Sequence, residues 1–172
     1  MAVSPEPSTG LAPALAADPG ALFEEVAKQY GVTLREVVEA MPAPMRRFSP
    51  GDAFVEAMTD IAAWGSVTLI VHSDDGIMEF TGPVQAGSVA RGYYNIPGST
   101  GFHGHLRHDR CAAIGFVERP FFGRPQASVL FFNTDGGIMF KVFVGRDDKR
   151  ELLAQQLKAF HSLRDRLCGS PA

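Results

Sequence analysis

"ASVLFFNTDGGIMFKVFVG", residues 127–145, decides the fold class. Two β-branched and aromatic runs flank NTDGG, and Asp-Gly or Gly-Gly between apolar runs is the chemistry of a tight hairpin turn. In the first run Val129 and Phe131 share one side while Leu130 and Phe132 share the other. In the second, Ile138, Phe140, Val142 and Val144 oppose Met139, Lys141 and Phe143. Both sides are mainly apolar, whereas an antiparallel sheet covered on one face alone alternates apolar with polar residues. Something must therefore cover the second face: another part of the chain, a partner subunit or a large apolar ligand. Lys141 lies on one of these faces, where it must snorkel, pair with an acid or meet an anionic ligand.

Working outward, "VTLIVH" (67–72), "GIMEF" (76–80), "SVARGYYN" (88–95) and "CAAIGFVE" (111–118) are further short strand-like runs. The segments SDDG and RPFFGRP between such runs carry turn chemistry, so the sheet is mostly antiparallel and built from hairpins. Helical periodicity precedes it. In residues 17–31 Asp18 can cap, Pro19 suits the first helical position, and Leu22, Val26 and Tyr30 recur before Gly31. Thr33 and Glu36 form a capping box for a second helix carrying Leu34, Val37, Val38 and Met41, with Pro42 as terminator. A third is expected from Ser49 as cap and Pro50 at the first position, with Phe54, Ala57, Met58 and Ile61 as its stripe and Gly65 at the stop. After the sheet, Asp148 and Glu151 suggest a capping box for a long helix with Leu152, Leu153, Leu157, Phe160, Leu163 and Leu167 on one side. Helices, then strands, then a helix packed on the sheet is an α+β order.

The chain has 172 residues, enough for one domain that buries roughly 70% of its unfolded surface. A single domain is expected over 18–168, with an Ala/Pro-rich disordered tail over 1–17 and a short tail over 169–172. The hydrophobic fraction of 45% and net charge of −3 give no general attraction to nucleic acid or anionic lipid, so an anionic partner needs a local basic cluster. Cys111 and Cys168 form no CxxC pair, which fits a reducing, intracellular setting. The N-terminus lacks a basic n-region and no stretch approaches membrane-spanning length, so a cytoplasmic protein is expected.

Chemistry concentrates in "RGYYNIPGSTGFHGHLRHD", residues 91–109. His103 and His105 form an H-x-H pair and His108 follows, but no Cys and no third ligand at a familiar zinc spacing accompanies them. A polar surface loop explains His103 and His108 equally well. His105, between Gly104 and Leu106, has the least obstructed imidazole. His72 ends an apolar strand, where a lone histidine is commonly a hydrogen-bonded rim residue; it gains a functional meaning if it converges with 91–109. Tyr93 and Tyr94 are adjacent in an extended run and point to opposite faces, so only one can serve a given pocket. Either both are sheet residues, or one ligates ferric iron as phenolate with Arg91 or Arg107 easing its ionisation.

Residues 26–41 also fit the apolar spacing of a DNA-binding helix-turn-helix, yet the second helix sets Glu36 and Glu39 against a single Arg35, and phosphate contact needs several cations. No Walker lysine, GxSxG or catalytic cysteine context occurs, so nothing requires an enzyme.

The phrases "LIVHSDDGIMEFTG", "RGYYNIPGSTGFHGHLR" and the run from "FVERPFFGRP" to "LLAQQLKAFHSL" resemble the HutX/ChuX family of intracellular heme utilisation carriers, and "YGVTLREVV" extends the likeness over roughly residues 20–165. The resemblance implies a homodimer whose protomers together mimic the two-repeat HemS-type heme proteins, so that one chain is half of that architecture. It implies ferric heme b held between sheet and helices and passed to a heme-degrading acceptor enzyme, with heme degradation by the chain itself as the alternative. The family's "GYFN" tyrosine corresponds to Tyr93, in a "GYYN" that adds a second phenol, and its two histidines correspond to His72 and His105. Arg91, Arg107 and Lys141 are the cations available for the propionates.

Overall fold

The computed structural model describes residues 9–169. Five α-helices, α1 (Leu11–Ala17), α2 (Phe23–Tyr30), α3 (Leu34–Glu39), α4 (Phe54–Ile61) and α5 (Ala154–Cys168), surround two sheets. The large sheet orders its strands β1 (Arg46–Pro50), β7 (Cys111–Phe121), β8 (Arg124–Asn133), β9 (Ile138–Phe143), β2 (Ser66–Ser73) and β3 (Gly76–Pro83). The small sheet runs β4 (Ser88–Ala90), β5 (Tyr93–Ile96) and β6 (Gly104–Leu106), and every pairing in both sheets is antiparallel.

Both faces of the large sheet are covered, but unequally. Val67, Leu69, Phe116, Val129, Phe131, Phe140 and Val142 point to one face and meet α4, α5 and the inner side of the small sheet. Phe131 and Phe140 stack there with ring centroids 4.3 Å apart, and Phe54 of α4 meets both edge-on. Each such side chain contributes about 1.5–3 kcal/mol by leaving water. The opposite face carries Ala113, Val117, Leu130 and Phe132, covered by Leu11, Leu15, Phe23, Val26, Val37, Val38 and Met41 of the N-terminal segment. That apolar cover lies over β1, β7 and β8 and reaches only Ile138 of β9. Over β9, β2 and β3 the same face stays open as a cleft.

Several sequence expectations are corrected. The tail expected over 1–17 is not a tail at 11–17: α1 buries Leu11 and Leu15, which give the Ala/Pro-rich stretch an apolar anchor. Residues 1–8 and 170–172 lie outside the described residues. α2 begins at Phe23, not at Pro19, without a side-chain cap; Phe23 and Val26 take the buried face and Leu22 is left exposed. Ser49 and Pro50 do not cap α4 but end a strand, because β1 pairs with β7 from Arg46↔Val117 to Pro50↔Ala113. Gly51 is what permits this pass, since a Cβ there would lie 1.9 Å from the Cys111 carbonyl oxygen. Residues 88–95 are two strands, turned by Arg91 and Gly92 at φ 54° and 81°, a pair of positive values that primed hairpin turns demand. Asp148 and Glu151 precede α5 by a turn and do not cap it; Leu152 and Leu153 fall outside the helix.

The capping box of Thr33 and Glu36 is present in full. α2 and α3 are a structural hairpin docked on the sheet, and Arg35 is paired with Glu39 at 2.8 Å, so α3 offers its exposed side little free positive charge.

Candidate functional site

Two regions gather the candidate residues. The first is the cleft, about 630 Å³, within the usual range for small-molecule sites. Its floor is the open half-face of the large sheet: Thr68, Ile70 and His72 from β2, Ile77, Glu79 and Thr81 from β3, Lys141 and Phe143 from β9. Strand alternation puts them there, because Val67, Leu69 and Val71 are turned to the opposite, packed face. Leu22, Glu24, Arg119 and Phe121 form a wall.

Glu24 is the hub. Its carboxylate pairs with the Lys141 ammonium and lies 3.0 Å from His72 Nδ1. Burial alone would push the Glu24 carboxyl up, but the Lys141 hydrogen bond and charge outweigh it, aided by its backbone amide and by His72, and hold it below the usual carboxylate range. Of the three roles open to Lys141, the structure selects pairing with an acid.

Arg119 is the other cation of the wall and was not singled out from the sequence. It is only 8% exposed, its guanidinium lies 3.8 Å from the Phe23 ring centroid, and burial pushes its pKa down to about 10. One arm donates to the carbonyls of Pro19 and Ala21.

The second region is the outer face of the small sheet. Tyr94, Ile96 and Leu106 point inward to the core, which leaves Tyr93, Asn95 and His105 outward. The two tyrosines are thereby separated by role. Tyr94 is fully buried, T-shaped on Phe54, and its hydroxyl accepts the Gly87 amide hydrogen at 2.7 Å. Tyr93 is 39% exposed, with its ring 6.0 Å from that of His105 and the Arg107 guanidinium 5.8 Å from its centroid.

His105 Nδ1 lies 2.6 Å from Asn95 Oδ1. The amide nitrogen of Asn95 already donates to the carbonyls of Ser88, Ala90 and Tyr93, so its oxygen must face the histidine and Nδ1 must carry the proton. Nε2 is then left with its lone pair, which is how outer partners fix the tautomer of metal-binding histidines. Asn95 closes the "GYYN" phrase two positions from Tyr93. Its same-face position was legible, but its partner was not.

The remaining candidates stand apart. Arg107 forks onto Asp109 at 2.8 and 2.7 Å; the Arg107 hydrogen bonds hold that carboxyl down to about 2. Arg91 sits exposed at the hairpin tip with no ion-pair partner among the described residues. His103 Nδ1 contacts the Gly101 carbonyl and His108 packs on Phe54, so these two do not converge with His105. Among the described residues no three His, Cys, Asp or Glu side chains gather as a metal site. His72 also fails to converge with Tyr93 and His105 within the chain: it faces α2 on one side of the large sheet, while they face away from the core on the other.

The family model described as Haem utilisation ChuX/HutX matches residues 47–163, which span β1 to α5 and hold both regions except α2. The chain belongs to the ChuX/HutX family. A relative from Vibrio cholerae serotype O1, named intracellular heme transport protein HutX, is 36% identical over 146 residues, covering 84% of this chain and 76% of that protein. Among solved structures, that of the heme-binding protein ChuX is 41% identical with a TM-score of 0.84, covering 91% of this chain and 98% of that one. ChuS, an E. coli heme oxygenase, aligns at a TM-score of 0.73 and 18% identity over 95% of this chain but 50% of its own. That likeness is one of fold, and a ChuX/HutX chain spans about half of the larger architecture. No helix among the described residues is long and apolar enough to cross a membrane.

Proposed function

We propose that this ChuX/HutX chain is a cytoplasmic carrier of ferric heme b that works as a homodimer and hands its cargo to a heme-degrading enzyme. The relatives named for heme transport and heme binding support the cargo. The observation that carries the chemistry is the Tyr93–His105 pair: a phenol beside an imidazole whose Nδ1 is tied to Asn95, leaving Nε2 for iron. Phenolate suits ferric iron, and the Arg107 guanidinium lies 5.8 Å from the Tyr93 ring centroid. A labile axial ligand exchanges faster than two strong ones, which suits a carrier that must give its heme up.

His72 and the Tyr93–His105 pair lie on opposite sides of one chain, so a single heme that meets both needs two chains. In a two-fold dimer the cleft of one protomer closes on the outer small-sheet face of the other, and the same contact is made twice. The open half-face of the large sheet is then covered by heme and partner together. Arg91 at the hairpin tip is available to the propionates; Arg107 is forked onto Asp109, and Lys141, already paired with Glu24, serves to hold His72's neighbour in place.

Complementation tests this reading. Homodimers of His72→Ala and of Tyr93→Phe/His105→Ala each lose tight ferric heme binding, whereas mixed dimers regain one intact site of two. No recovery in mixed dimers defeats the shared site. Incubating the ferric complex with a reductant under oxygen leaves the Soret band in place for a carrier; a bile-pigment-like product instead marks a degrading enzyme.

A further inference from the structure

Arg119 is a buried cation without a carboxylate partner among the described residues. β7 sets it on the cleft side of the sheet opposite Gln126, on the same side as Val117 and Phe121. Its guanidinium lies between two rings, 3.8 Å from Phe23 and 5.1 Å from Phe121. Nη1 donates to Pro19 O at 3.1 Å and Ala21 O at 2.6 Å, but Nε is buried and bonds to nothing among the described residues. Glu24 and Asp18 carry the negative charges that act on it, and neither forms an ion pair with it. The other cleft cations are occupied: Lys141 by Glu24, and Arg146 by the carbonyls of Pro125 and Arg150. A buried charge left this way is costly unless an anion comes to it, and an arginine fork with one free edge matches a carboxylate in shape.

We propose that Arg119 is the carboxylate receptor of the cleft, accepting the acid edge of a flat, apolar ligand of the porphyrin class. The aromatic and aliphatic lining, Phe121, Phe143, Ile70 and Leu22, takes the ring, and the Nε edge of Arg119 takes the acid. The heme reading supplies the ligand class, but this role needs no iron. It also moves the propionate anchor from Arg91, Arg107 and Lys141 to a residue whose burial and missing partner single it out.

The test therefore uses iron-free protoporphyrin IX and its dimethyl ester, titrated by fluorescence quenching. The wild type binds the diacid about tenfold or more tightly than the ester, the scale of a hydrogen bond to a charged group. Arg119→Met brings the ratio close to one without weakening the ester, and Arg119→Lys falls between. A wild-type ratio near one, or no binding of the diacid, overturns the proposal, and neither reading depends on a variant that folds. A diacid preference that survives in Arg119→Met of native circular dichroism overturns it as well. If Tyr93→Phe/His105→Ala leaves ferric heme binding unaltered while the wild-type diacid preference holds, the iron assignment falls and Arg119 stands.

Discussion

His72 and His105 are both held from behind, but by different means. In the cleft, His72 faces Glu24, a carboxylate that Lys141 also claims, in a pocket walled by α2 and floored by three strands. On the small sheet, His105 is held by one neutral amide on an open face, with Tyr93 beside it. The cleft is part of what keeps α2 on the sheet, so its charges serve the fold as well as any ligand. The outer face is almost free of structural duty, so its residues can be specialised for binding. Perturbing the cleft should move stability as well as affinity, and perturbing the outer face should move affinity alone.

The largest expected effect is on the open face. Tyr93→Phe combined with His105→Ala should weaken ferric heme binding roughly 100-fold in an absorbance titration. The melting temperature should barely change; a clear fall would show that this face supports the fold after all. In the cleft, Lys141→Met removes the counter-charge of Glu24. Breaking a buried pair costs about 3–5 kcal/mol, and the partial exposure of Glu24 lowers that to about 2 kcal/mol in urea unfolding.

Tyr94→Phe sharpens the contrast within one dipeptide. It strands the Gly87 amide hydrogen in a part-buried site and should cost about 1 kcal/mol of stability while leaving heme binding intact. Tyr93→Phe alone should do the reverse. The smallest effect is in acid. The folded Glu24 carboxyl lies below its ordinary value of 4.5, so its contribution is complete above that pH and fades as pH falls through the lower folded value. Melting temperatures followed downward from ~pH 6 should show this acid loss in the wild type and a shallower one in Lys141→Met.

The strand runs were legible because their apolar residues repeat every second position and their turns are rich in Gly and Asp. Residues 127–145 also revealed that the second sheet face needs cover. They could not say that α1–α3 cover half of it, because that depends on Leu11 and Leu15 in a stretch whose alanines and prolines resemble a tail. β1 was missed since Ser-Pro-Gly imitates a helix start, and only the pairing with β7 makes it a strand. At the site, alternation placed Tyr93 and Tyr94 on opposite faces, but choosing between them required knowing which side the core lies on. Glu24 and Arg119 lay beyond reach for the same reason: their partners are about a hundred residues away in sequence.

Arg119 holds Pro19 and Ala21 across 100 and 98 residues, and the Leu11-to-Met41 segment packs on Ala113, Val117, Leu130 and Phe132. Synthesis therefore releases the first three helices long before the strands that will receive them. Short helices of six to eight residues do not persist alone in water, so this segment depends on β7 and β8 to hold it. The first three helices thus take their cover from strands made about a hundred residues later.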